Sequence, residues 1–455
     1  MSKFIQSILS ILFILIGVIV FLLTNKSGYE YLFLHPFIYA ICFFIVLHKG
    51  FLFKPFRPFL FVFALITSFR YVVLPLLVVL SNYYGGRSPV EPLDISYQNA
   101  IFIMLWELIA CTSLIFFLEK WAKKHITNER KKFEIDGKSY IYLLFVFLAI
   151  LLILINPSAL LYINFIVPSL LNEDIQSNFI INFTVYCFLI AKVFIIFYFI
   201  KKLLKNNYKY SYFFVLILVF LNIMIYWGAN KSDILLAGIA SALIIYQLYG
   251  RKSFRSLIII GLSLVFVLSA VNTFRETQKI SGGNNSLLDK ADSMQVYTGG
   301  VYNVAIALET KDYYPEASQL KVLIFDIFRP MIGPNLVLKN YEQIYSNIYF
   351  NNRIWTNVDR RSQIIPMVGQ AYLFLGFILA PLFSMFFISL AYFLEKIYFY
   401  TRNMEVYYFV CLGLIRLGFI FGQNTMNMIN DLSMNLFLFY ILFVLNKYFN
   451  KMLRI

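Results

Sequence analysis

The chain has 455 residues, 60% of them hydrophobic and only 14% charged, with a formal net charge of +16. So few charges cannot build a water-facing exterior, and so much apolar surface is more than a soluble core needs, so an ordinary soluble globular protein is excluded. Apolar runs of about 17–23 residues recur from end to end, each long enough to cross roughly 30 Å of hydrocarbon as a helix.

The first run, FIQSILSILFILIGVIVFLL, is followed by TNKSGYE, which offers no small-residue cleavage site, so it reads as an uncleaved span. The pattern predicts an all-α polytopic transmembrane helical bundle of about 12 spans. They fall near 4–23, 31–47, 58–80, 98–118, 139–155, 179–200, 211–227, 233–249, 255–271, 364–394, 406–422 and 432–448. Cys42, Cys111, Cys187 and Cys411 all fall inside apolar runs, so no disulfide is expected to staple an external region.

Basic residues set the expected orientation. One alternating set of termini and loops carries 23 lysines and arginines, whereas the short loops of the other set carry Lys26, Arg87 and Lys231. The positive-inside rule places the first set, and both termini, in the cytoplasm. The net charge is then largely an orientation signal plus attraction to anionic lipid, and no nucleic-acid partner is implied. The linear organisation reads as spans 1–9 over 1–271, one large extracytoplasmic loop over 272–362, and spans 10–12 over 363–455. Within the loop, LLDKADSMQVYTGGVYNVAIALE reads as helical and ASQLKVLIFDIFRPMIGP as an amphipathic helix lying on the membrane.

Three charges fall at membrane depth. Arg70 in ALITSFRYVVLPLLVVL and Glu107 in AIFIMLWELIACTSLIFF come to nearly the same level, and Arg416 in VCLGLIRLGFIFG lies near mid-depth. A charge at the bilayer centre costs at least about 2.5–3.5 kcal/mol, so such residues turn to a bundle interior or a wet cavity. Arg70 and Glu107 are expected to pair or to line one polar cavity, and Pro75 to kink their span. Lys192 lies nearer the inner edge, where its stem can carry the ammonium toward the headgroups. At the outer side, Lys231, Arg275, Arg329, Arg353, Arg360 and Arg361 make a candidate cationic rim. An arginine fork donates two parallel hydrogen bonds to a phosphate, so the rim suits an anionic lipid ligand such as a polyprenyl pyrophosphate. The three histidines, His35, His48 and His125, lie outside the large loop, and no metal-ligand or nucleotide-binding motif is present.

The chain resembles the Wzy-type polymerases of O-antigen and capsule, also called oligosaccharide repeat unit polymerases. The resemblance rests on HPFIYA, SFRYVVLPL, YQNAIFIMLWEL with Glu107, GANKSDILL, NTFRE, FRPMIGP and IIPMVGQAYLFLG. It departs from the family at Lys231, where an arginine is common. The resemblance implies a multi-pass protein of the bacterial cytoplasmic (inner) membrane. It implies a glycosyltransferase of the cell envelope that joins lipid-linked oligosaccharide units at the outer face, without metal or other cofactor. A flippase and a chain-length regulator are possible partners. Arg70, Glu107, Lys231, Arg275, Arg329, Arg353, Arg360, Arg361 and Arg416 are the candidate pyrophosphate- and substrate-binding residues. The acceptor hydroxyl needs a base, for which Glu276 is the first candidate and Asp326 and Glu309 follow. Two alternatives stay open: a lipid-linked polysaccharide ligase, and a flippase or transporter of lipid-linked oligosaccharide.

Overall fold

The computed structural model describes residues 2–52, 56–125, 132–135, 139–166, 179–206, 210–227, 231–274, 286–338, 341–342, 344–355 and 363–452. In chain order the N-terminal helices are α1 (Ser2–Leu23), α2 (Leu34–Cys42), α3 (His48–Leu52), α4 (Pro58–Ser68), α5 (Leu74–Ser81) and α6 (Asp94–His125). They are followed by α7 (Tyr140–Ile155), α8 (Phe179–Lys205), α9 (Ser211–Met224), α10 (Lys231–Tyr249) and α11 (Phe254–Phe274). The long loop contributes α12 (Ser286–Thr298), α13 (Val301–Tyr313), α14 (Leu320–Phe328), α15 (Pro334–Leu338) and α16 (Ser346–Ile354). The chain ends in α17 (Met367–Leu379), α18 (Leu382–Tyr400), α19 (Met404–Gly418), α20 (Thr425–Asp431) and α21 (Leu438–Met452). The described strands, β1 (Ile163–Phe165) and β2 (Ile225–Trp227), pair antiparallel with Asn164 opposite Tyr226.

The protein is a helical membrane protein: among the described residues seven helices are long and apolar enough to cross a bilayer. Helices satisfy every backbone N–H and C=O internally, which is the condition for lying in hydrocarbon. Four further apolar helices are shorter, including α7, α9 and α17. The expected tenth span, 364–394, is instead two helices. Gly376 takes φ 73°, a left-handed value that a glycine reaches without strain, and α17 closes just beyond it. α18 then starts afresh after Pro381, and it alone of the two is long enough to cross.

Pro75 behaves differently from a simple kink. A π-helical turn, Phe69–Val73, precedes it, and the helix continues to Ser81. Proline cannot donate to the carbonyl four residues back, here that of Tyr71, and its ring crowds it; one extra residue in the turn relieves both. Asn82 ends α5 in the left-handed conformation that closes many helices.

The chain divides into two compact units. The first comprises 1–128, 279–396 and 414–433, and the long loop is an integral part of it. Every residue of α13 from Val301 to Thr310 is buried. This helix packs against α6, α16 and α17, while α12 packs against α5. The loop thus supplies core, not only a cover. The second unit comprises 129–278, 397–413 and 434–455. In it, the Lys192 ammonium donates to the carbonyls of Asn222 and Ile225, both at 2.8 Å. Lys192 therefore caps the C-terminal end of α9, where the chain turns extended, and does not reach for the headgroups.

Candidate functional site

All of the described candidate residues whose side chains are placed belong to the first unit, and they form three groups. The deepest is Arg70 with Glu107, both fully buried. Arg70 Nη1 donates to Glu107 Oε2 at 2.9 Å, and Arg70 Nε donates to the Gly299 carbonyl at 3.1 Å. The Ser384 hydroxyl donates to the other Glu107 oxygen. The Arg70 guanidinium lies 4.8 Å from the centre of the Phe421 ring and 5.3 Å from that of Tyr71. Nη2 is enclosed without a hydrogen-bond partner. Of the two expectations for this pair, direct pairing holds. Its chemistry is that of a latch: the turn between α12 and α13 is tied down onto two spans by one guanidinium. Gly299 has φ 65°, and a Cβ there would sit 2.8 Å from the Phe421 carbonyl oxygen, so the tie needs this glycine.

The second group holds Glu309 and Arg353. Arg353 Nη2 lies 2.5 Å from Glu309 Oε2, and Glu309 Oε1 accepts from the Leu93 backbone N–H at 2.8 Å. Arg353 Nη1 reaches the Val90 carbonyl at 3.2 Å, and its guanidinium lies 4.8 Å from the Tyr313 ring centre. Close by, Tyr302 accepts from the Ser88 N–H at 2.8 Å, and Arg87 donates to Asp292 at 2.9 Å. Burial pushes the Tyr302 hydroxyl up to about 12. Both Glu309 oxygens are engaged and the pair is only 5% exposed on each side, so Glu309 works here as a brace between α13, α16 and the 82–93 loop.

The third group surrounds α20. Asp326 accepts from the Ser346 N–H at 3.2 Å and from the Gln370 amide at 2.7 Å. Gln370 in turn accepts from the Thr425 N–H at 2.8 Å, which joins α14, α16, α17 and α20 through one carboxylate. Burial raises the Asp326 carboxyl from its ordinary 3.8 to about 6, against the opposing pull of these donors. Arg329, at the end of α14, hydrogen-bonds the Tyr345 hydroxyl and lies 5.2 Å from its ring centre. Arg416 sits in the last turn of α19. Its Nε lies 2.5 Å from Asp431 Oδ2, and its Nη2 donates to Gln423 Oε1 at 3.2 Å. The Asp431 side chain is 21% exposed, more open than Glu309 or Asp326. The turn after Arg329 is fastened beside it, the Ile332 N–H donating to Ser433 Oγ at 2.9 Å.

Asp431 escapes a reading by hydropathy because it falls one residue before the expected twelfth span. The polar run GQNTMNMIND is the signal that could have found it. Glu119 and Glu395 were missed likewise; both pair with Arg57, which also faces the Tyr392 ring at 5.0 Å. Glu276, Arg275, Arg360 and Arg361 lie outside the described residues. Lys231 opens α10, but its side chain is also outside them. Among the described residues no three His, Cys, Asp or Glu side chains converge as metal ligands would.

Comparison with known proteins yields no family model that matches the chain, no matching curated protein and no matching solved structure.

Proposed function

We propose that the protein polymerises polyprenyl-pyrophosphate-linked oligosaccharide repeat units into a surface polysaccharide, an O-antigen or a capsule, at the outer face of a bacterial cytoplasmic membrane. The proposal includes the twelve-crossing topology with both termini inside, which puts the long loop and the α19–α20 turn on the outer side.

The observation that carries this reading is the Arg416–Asp431 pair: an arginine in the last turn of α19 facing a partly open carboxylate, with Gln423 alongside and the Arg329 turn pinned two residues away. The reaction needs two things. The pyrophosphate must be stabilised as it leaves, which preorganised guanidinium groups do by neutralising the charge that develops on its oxygens. The acceptor hydroxyl must lose its proton, which an adjacent carboxylate takes. In the proposed step the acceptor oxygen attacks the anomeric carbon of the growing chain. The bond from that carbon to the pyrophosphate breaks, its electron pair leaves with the pyrophosphate, and the hydroxyl proton passes to the carboxylate. Arg416 and Arg329 serve the leaving group and Asp431 is the base. Asp326 holds the start of α20 through Gln370 and Thr425, Glu309 braces the long loop, and Glu276 remains a second candidate base. The lipid-pyrophosphate itself is the activated donor, so neither a nucleotide sugar nor a metal enters the scheme.

The test is a deletion strain complemented with wild type, Arg416→Ala or Asp431→Asn, with protein level followed by a tag and surface polysaccharide resolved by chain length. Exported single repeat units without long chains are expected for the deletion, and for both variants at a protein level equal to wild type. Long lipid-linked polymer that never reaches its acceptor would mean a ligase, and repeat units held inside would mean a flippase.

A further inference from the structure

The long loop leaves a row of apolar side chains uncovered. On α14, Leu320, Ile324 and Phe328 are 70%, 40% and 44% exposed. They are spaced four residues apart and share one face. The opposite face carries Val322 and Asp326, both buried, the latter turned inward to Ser346 and Gln370. After the turn at Pro330–Pro334, α15 adds Leu336 and Val337, 55% and 65% exposed, and has no buried residue of its own. The charges on this outward surface of α14 and the turn after it are cationic: Lys321 is exposed, and Arg329 is partly exposed where it leans on Tyr345.

The position of this surface says what covers it. α14 packs against α20, and the hairpin is fastened there by Ile332 to Ser433. α20 is the opening of a helix, Thr425–Met452, that is long and apolar enough to cross a membrane. The apolar row therefore runs beside a helix entering lipid. An apolar stripe flanked by long cationic side chains fits the boundary between acyl chains and phosphates.

We propose that α14 and α15 lie in the plane of the membrane as an interfacial foot of the long loop. Leu320, Ile324, Phe328, Leu336 and Val337 sit below the phospholipid phosphates, and Lys321 and Arg329 sit at phosphate level. The partner is the phospholipid surface itself, and the inference stands whether or not the chain is a polymerase.

Spin labels at Ile324→Cys, Phe328→Cys and Val337→Cys test this in the full-length protein in phospholipid nanodiscs. Cys42, Cys111, Cys187 and Cys411 are buried, and the unsubstituted protein serves as the labelling blank. Asp312→Cys, at the exposed end of α13, is the aqueous control. The expected result is a ratio of oxygen to nickel-chelate collision rates several-fold above the control at all three positions, as immersion of an apolar face below the headgroups requires. Nickel access equal to the control would place the foot in water and overturn the proposal. Low access to both reagents would mean that protein, a second copy or another partner, covers the face, and would overturn it equally. The sites are exposed, so the label does not depend on a core tolerating it.

Discussion

Replacing Glu107 by glutamine removes the carboxylate that faces Arg70 while keeping the volume and one accepting oxygen. Arg70 is then a charge with no exposure, held by the Gly299 carbonyl and two aromatic faces. Two unit charges about 4 Å apart interact by about 4 kcal/mol at an effective dielectric near 20. The retained hydrogen bond offsets about 1 kcal/mol of that loss. A destabilisation of about 3 kcal/mol is expected, at the low end of what breaking a buried pair costs. Arg70→Met strands Glu107 in the same way and also frees the Gly299 turn, so it should cost at least as much. The double variant Arg70→Met/Glu107→Gln leaves no stranded charge and should fall short of the sum of the singles by about 2 kcal/mol or more. Denaturant unfolding of wild type and the three variants in mixed micelles, followed by tryptophan fluorescence, gives all four corners of the cycle. Single-variant losses below about 1 kcal/mol, or a double equal to the sum, would refute the argument that this pair is a buried latch.

Gly299→Ala forces a left-handed residue to carry a Cβ against the Phe421 carbonyl and should cost about 1–3 kcal/mol in the same assay. Asp326 predicts a pH dependence whose sign is fixed by its raised carboxyl value, from 3.8 to about 6. Between those values the folded protein holds the proton more tightly than the unfolded chain, so stability falls as pH rises through that window. The fall is about 3 kcal/mol, at about 1.4 kcal/mol per pH unit, and is flat above it; Asp326→Asn should remove that slope. Lys192→Met withdraws the donor from the Asn222 and Ile225 carbonyls and should cost about 1–3 kcal/mol, with Lys192→Arg milder. In the complementation assay, Arg416→Lys should give less long polymer than wild type but more than Arg416→Ala, because lysine keeps the charge but loses the paired donors.

Much of this architecture is local, and local properties are legible in a sequence. An apolar run in hydrocarbon must satisfy its backbone within itself, so hydropathy alone announced the helices, and the depth of Arg70 and Glu107 followed from counting along them. The amphipathic pattern of α14 was readable for the same reason. What the sequence did not contain were partners. Arg70 meets Gly299 across 229 positions, and Arg57 meets Glu395 across 338. Asp431 gains its meaning only because α19 stops at Gly418 and returns Arg416 against it. The split between α17 and α18 had the same character: Gly376 permits a left-handed backbone without demanding one. α13 shows the limit most plainly. Its residues read only as a helix within the long loop, yet Val301–Thr310 are all buried, because the surfaces of α6, α16 and α17 that cover them come from other parts of the chain. Hydropathy determined which segments leave water; close packing of surfaces that the chain itself keeps far apart decided which of the described candidate charges are buried braces and left Asp431 partly open.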